Sequence, residues 1–240
     1  SDAALKSYLS GVADTDKDGK ISQAEAKAVT EVDFSNKGIK AIDGLEWFTG
    51  LTSINASKNV IEEFPLDYFA SLSTLDISGN KVATLDLSTT SMTTLKASGN
   101  QLTSVNGIPD EIQYIDVSNN KLTNIQCDYK SYLTYLDASN NELENFGVHW
   151  SDKLEYLNIS NNKIKDNGYN AAFRTWSLKK LKTFIANNYG SSMTINTQQE
   201  LKNLPALESV EPQGTDAKYL NVTGPAKTLK YLEVTGAKHL

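Results

Sequence analysis

Apolar residues recur along this chain in a short pattern best seen from Ile112 to Leu122, where Ile112, Ile115, Val117 and Leu122 are apolar and Asn120 is the fixed polar member. The inner pair of that pattern returns as Val32/Phe34, Ile54/Ala56, Leu75/Ile77, Leu95/Ala97, Ile115/Val117, Leu136/Ala138 and Leu157/Ile159. Alternation within each pair predicts a strand with one buried face. The interval from Val32 to Ile54 is 22 residues, and the later ones are 20 or 21. So short a period leaves room for one strand and a tight, mostly extended return, and Pro109 in one return cannot continue a helix. An asparagine column keeps register at Asn59, Asn80, Asn100, Asn120, Asn141 and Asn162, with Lys37 at that place in the first repeat. A carboxamide both donates and accepts, so one side chain can satisfy backbone groups that each coil leaves buried.

This spacing resembles the leucine-rich repeat, L-x-x-L-x-L-x-x-N-x-L. The resemblance implies an α/β solenoid with a parallel sheet on the concave side. Ile39, Ile42, Gly44 and Leu45 followed by Leu51 and Ile54 resemble bacterial cell-surface repeat proteins of the internalin type.

After Ile164 the rhythm changes. Residues 169–181 carry Ala172, Phe173, Trp176 and Leu181 at helical spacing, and the next strand pair, Phe184/Ala186, comes 27 residues after Leu157. Thr197 and Glu200 form a capping box ahead of Leu201 and Leu204, and Pro205 stops that helix. The pair Val210/Pro212 follows. Helices are therefore expected in these later convex returns, where Tyr189 and Thr215 replace the asparagine. Two similar segments close the chain, beginning at Tyr219 and Tyr231. Either the second is the last sheet strand, 22 residues beyond Val210, or the two form a hairpin; both arrangements make a cap, and the first is preferred.

Ahead of the repeats, Ala4, Leu5, Tyr8, Leu9 and Val12 have helical spacing. Then Asp14, Asp16, Asp18, Lys20, Ser22 and Glu25 occupy positions 1, 3, 5, 7, 9 and 12 of a twelve-residue loop, with Gly19 at position 6. This resembles the EF-hand calcium loop. Three aspartates on alternate residues converge as the chain curls, Gly19 permits the sharp turn, and Lys20 offers its carbonyl. Ser22 acts directly or through water, and Glu25 closes the far side. Ser22 and Glu25 also make a capping box that opens a second helix. Magnesium is disfavoured, because it demands near-octahedral geometry and keeps its water. A single such hand needs another surface to cover its apolar face, and a solenoid needs its end covered. Residues 1–29 are thus expected to be a calcium-stapled cap, and residues 30–240 the repeat domain with an atypical C-terminal end. The pairing of hand and repeats resembles secreted or lipid-anchored proteins of gut-dwelling bacteria, which implies a place outside the cytoplasm.

Composition narrows the function. The 240 residues carry a net charge of −6, which argues against nucleic-acid or anionic-membrane surfaces. No apolar run approaches the roughly 20 residues that span a bilayer. The chain begins at Ser1, so a processed or trimmed N-terminus is expected, with any targeting segment upstream. Cys127 is the only cysteine and reads as a buried structural thiol. His149 and His239 are the only histidines, neither within a nucleophile or metal motif, so no enzymatic activity is expected.

The surface columns carry what information remains. Beside the buried strand positions run Asp33, Asn55, Asp76, Lys96, Asp116, Asp137 and Asn158, and two residues earlier Tyr114, Tyr135 and Tyr156 stand in consecutive repeats. Two residues later the column is serine, from Ser57 to Ser160. Three tyrosines in a row, amphipathic and low in side-chain entropy, suit a binding surface. Tyr114, Tyr135, Tyr156, Asp116, Asp137 and Lys96 are therefore the candidate partner-binding residues. The expected function is a monomeric, non-catalytic module that recognises a protein ligand. The alternative is a carbohydrate-binding protein whose tyrosine row stacks sugar rings.

Overall fold

The computed structural model describes residues 2–164, 178–186, 208–211 and 230–232, the backbone alone at 209–211 and 231–232. The chain forms two compact units, Ser1–Pro109 and Asp110–Leu240.

The first unit opens with two helices, α1 (Ala3–Ala13) and α2 (Gln23–Ala28). Asp2 caps α1 by accepting the Ala4 and Leu5 amides, and Leu5, Leu9 and Ala13 form its buried stripe. The Ser22/Glu25 capping box starts α2 as the sequence predicts. Strands β1 (Glu31–Asp33), β2 (Ser53–Asn55), β3 (Thr74–Asp76), β4 (Thr84–Asp86), β5 (Thr94–Lys96) and β6 (Ser104–Asn106) follow. β1, β2, β3 and β5 pair in parallel, Val32 beside Ile54, Ile54 beside Leu75, and Leu75 beside Leu95. β4 and β6 form a second parallel pair within the returns. The first return contains a 3₁₀ turn, Leu45–Trp47, entered through Gly44 at φ +100°.

The second unit contains β7 (Tyr114–Asp116), β8 (Asn124–Gln126), β9 (Tyr135–Asp137), β10 (Asn145–Gly147), β11 (Tyr156–Asn158), β12 (Thr183–Ile185), β13 (Ser209–Glu211) and β14 (Tyr231–Leu232). β7, β9, β11, β12, β13 and β14 pair in parallel in that order, and β8 pairs with β10 in the returns. β14 lies parallel to β13 with Leu232 beside Val210, so the segment at Tyr231 is the last sheet strand. The helix expected over 169–181 falls mostly outside the described residues, and its end, 178–181, is a turn. The helix expected before Pro205, the segment at Tyr219 and His239 also lie outside them.

The repeat pairs from Val32/Phe34 to Phe184/Ala186 are buried. The asparagine column binds each coil to its neighbour. Asn141 Nδ2 donates to Val117 O, Ala138 O and Ser139 O, while its Oδ1 accepts the Leu122 amide. Asn59, Asn80, Asn100 and Asn162 make the same kind of bonds. Lys37 replaces asparagine in the first repeat, and there its amide donates to Asn59 Oδ1.

The helical cap is fastened to the first coil. The Asp33 amide donates to Tyr8 Oη at 2.7 Å, and the Tyr8 ring meets Phe34 edge-on. Asp2 Oδ2 accepts the Lys40 amide, a bond that holds its carboxyl below the usual range. At Gly50 a side chain would overlap the carbonyl of Lys27, so glycine there lets the end of α2 seat on the coil.

Candidate functional site

The loop between α1 and α2 gathers Asp14, Asp16 and Asp18, whose carboxylate oxygens lie within 4.8 Å of one another. Backbone amides hold each in place. Gly19, at φ +84°, donates to Asp14 Oδ2, Asp18 donates to Asp16 Oδ1, and Lys20 donates to Asp18 Oδ1. Asp14 Oδ1 is buried without a hydrogen-bond partner. A buried carboxylate oxygen left without a donor is costly unless a cation faces it.

Glu25 is engaged differently. Its Oε1 accepts the Thr15 amide and hydroxyl, and its Oε2 accepts the Ser22 amide and hydroxyl. These bonds, the Ser22 amide foremost, hold its carboxyl down at about 2. Three of the six expected ligands thus converge through their side chains, while Glu25 and Ser22 are joined to each other and the Lys20 amide holds Asp18. The oxygen-only donor set and the unmatched Asp14 oxygen fit a hard cation such as calcium.

In the second unit the tyrosine column is a stack. The Tyr114 and Tyr135 centroids are 4.3 Å apart with planes 7° off parallel, and Tyr135 and Tyr156 are 4.4 Å apart at 3°. The parallel register of β7, β9 and β11 imposes this, because in-register strands set equivalent side chains about 4.8 Å apart. Burial, followed by the neighbouring phenols and Asp137, pushes the Tyr135 hydroxyl well above its ordinary range. It remains a proton donor.

Asp116 and Asp137 stand in register beside the stack. Each turns Oδ1 onto the amide and hydroxyl of the serine two residues on, Ser118 or Ser139. This aspartate-to-serine turn explains the serine column, and the sequence reading missed it; the regular two-residue offset was its signal. Asp137 Oδ2 accepts from Asn158, and Asp116 Oδ2 accepts no hydrogen bond among the described residues. Lys96 lies in the first unit, exposed and in register with Asp76.

On the return side of the second unit, His149 is anchored, which its sequence context did not suggest. Asp128 Oδ1 accepts the His149 amide at 2.7 Å and meets His149 Nδ1 at 2.9 Å. Cys127 is fully buried, and burial pushes its thiol up to about 12.

A leucine-rich repeat profile matches residues 151–169. The fold is that of a leucine-rich repeat solenoid. The functional domain of InlJ from Listeria monocytogenes superimposes with a TM-score of 0.61 at 18% identity, over 100% of this chain and 63% of that one. Internalin C2 from the same species does so at 0.60 and 21% identity, over 98% and 92%. A chain of the octameric complex of Latrophilin 3, Unc5D and FLRT2, in which FLRT2 contributes a leucine-rich repeat, matches at 0.60 and 17% identity, over 79% and 62%. No curated protein matches the sequence significantly. Leucine-rich repeat solenoids are commonly protein-interaction scaffolds, not enzymes. Among the described residues, no helix is long and apolar enough to cross a membrane.

Proposed function

We propose that this chain is a non-catalytic binding module at a bacterial surface, recognising a protein ligand through its sheet face. The observation that carries the reading is the three-ring stack beside Asp116 and Asp137. Its rings are already ordered, so a partner immobilises little that is mobile. It presents ring edges, phenolic hydroxyls and carboxylate oxygens, a surface that suits a partner's polar and cationic side chains. The same geometry weakens the glycan reading at this row. A sugar ring packs on an open aromatic face, and both faces of Tyr135 are covered by its neighbours. FLRT2, in its complex, is a precedent for a repeat scaffold assembled with other proteins.

The cap holds a structural calcium ion in this reading, with Asp14, Asp16 and Asp18 as the side-chain ligands at the core of the site. Lys20, Ser22 and Glu25 complete it as the resemblance implies. The location outside the cytoplasm rests on the internalin-type resemblance, and there millimolar calcium would fill even a weak site.

Screening purified host and bacterial ectodomains, alongside a glycan array, tests the binding reading with the wild type and a Tyr114→Ala/Tyr135→Ala pair. A protein bound by the wild type and lost in the pair supports it. Undiminished binding in the pair would sink the sheet-face assignment. Elemental analysis of protein purified in calcium tests the ion directly.

A further inference from the structure

Eight described non-glycine residues have a positive φ, and six of them are asparagine or lysine. The other two are Tyr129 at φ +61° and Trp150 at φ +60°. A bulky side chain in this left-handed region is strained, and such outliers gather at functional sites. These two occupy equivalent places in consecutive repeats, since the Tyr129 amide donates to the His149 carbonyl. Neither ring is there to fill the core: Tyr129 is 69% exposed and Trp150 55%.

Beside them lies an ordered polar cluster. Asp128 Oδ1 fixes the His149 imidazole through Nδ1, which leaves Nε2 as the second hydrogen-bonding atom of the ring. Asp128 Oδ2 accepts no hydrogen bond among the described residues. Gln126 is exposed and donates to Asn124 Oδ1. Gly147 brings these groups together. A side chain there would overlap Gln126 Oε1 and approach both Asp128 carboxylate oxygens to 2.7 Å, so only glycine leaves them room to lean over the next repeat.

We propose that Gln126, Asp128, Tyr129, His149 and Trp150 form a carbohydrate-binding site on the return side of the second unit. A pyranose has an apolar C–H face and a rim of hydroxyls that each donate and accept. The exposed indole and phenol offer the apolar platform. The carboxylate, imidazole and carboxamide offer planar partners for adjacent hydroxyls. A neutral saccharide fits better than an anionic one, because Asp128 places a carboxylate among the hydrogen-bonding groups. This site is separate from the stacked tyrosines and does not rest on the sheet-face reading.

Native electrophoresis of the full chain through gels containing xyloglucan, mixed-linkage β-glucan, galactomannan or starch, all neutral, tests it. Retardation in at least one gel is expected, abolished by Trp150→Ala or by Tyr129→Asn and weakened about tenfold by Asp128→Asn, as loss of a charge-assisted hydrogen bond implies. The pair Tyr114→Ala/Tyr135→Ala should migrate like the wild type. Thermal melts confirm that each variant is folded, and Tyr129→Asn stands in should Trp150→Ala fail to fold. No retardation in any gel overturns the proposal. So does retardation that survives both aromatic substitutions, or capture of a protein through Trp150 with every gel silent.

Discussion

The rings of Tyr114 and Tyr135 lie 4.3 Å apart and within 7° of parallel, and Tyr156 continues the stack beyond Tyr135. Tyr135 is therefore stacked on both of its faces. Aromatic pairs contribute about 0.5–1.5 kcal/mol each beyond area burial. Tyr135→Ala is expected to destabilise by about 2–4 kcal/mol, counting the lost burial. Urea unfolding of Tyr135→Ala beside Tyr135→Leu separates stacking from burial. A Tyr135→Leu variant as stable as the wild type would mean that the stack contributes nothing beyond burial.

Asn141 bonds to two successive coils at once. Asn141→Ala strands the Leu122 amide in a buried position, while Asn120 and Asn162 still donate to the Val117 and Ala138 carbonyls. The expected loss is about 1–3 kcal/mol. Hydrogen exchange at Leu122 should speed up well before global unfolding, and a variant with unchanged exchange there would contradict the ladder.

The Cys127 thiol, raised to about 12 by burial, should resist iodoacetamide at pH 8 in native buffer and react promptly in denaturant. The sign of the linkage follows. With the folded value above the ordinary 9.0, this group leaves stability unchanged below that pH and subtracts from it as pH rises toward 12. Rapid native labelling at pH 8 would mean that the coil opens locally.

Chelating calcium should lower the melting temperature and raise hydrogen exchange first in residues 1–29, with Asp14→Ala reproducing both changes in the presence of calcium. The uncompensated Asp14 Oδ1 is the physical reason. Identical melts with and without chelator would remove the ion from the account.

Tyr129→Gly should leave stability within about 1 kcal/mol of the wild type, because relief at φ +61° offsets the freedom that glycine gains when unfolded. A loss of several kcal/mol would assign Tyr129 to packing.

Sequence periodicity exposed the repeats because burial and register share one spacing: Leu75, Leu95, Leu136 and Leu157 are all at 0% exposure and all had been placed by interval alone. The tyrosine row was legible for the same reason, since residues in register become neighbours in space. What stayed hidden were contacts set by backbone dihedrals. Nothing in the order Asp128-Tyr129 or His149-Trp150 reveals a left-handed turn, nor that Gly147 clears space for Gln126 and Asp128. The bonds from Thr15 to Glu25 were hidden as well, because a capping box accounts for one carboxylate oxygen and says nothing of what the other holds.

The bonds that five of these asparagines make between coils run one way. Oδ1 of Asn59, Asn80, Asn100, Asn141 and Asn162 accepts an amide from the coil before it, and Nδ2 donates to a carbonyl of that earlier coil. The stack thus has an arrow: each turn is finished by its successor. Lys37 can stand where later repeats need asparagine because no earlier repeat awaits completion there. A chain emerging N-terminus first would gain each coil's final bonds only after the next had been made, and a cut between repeats would injure the upstream fragment more than the downstream one.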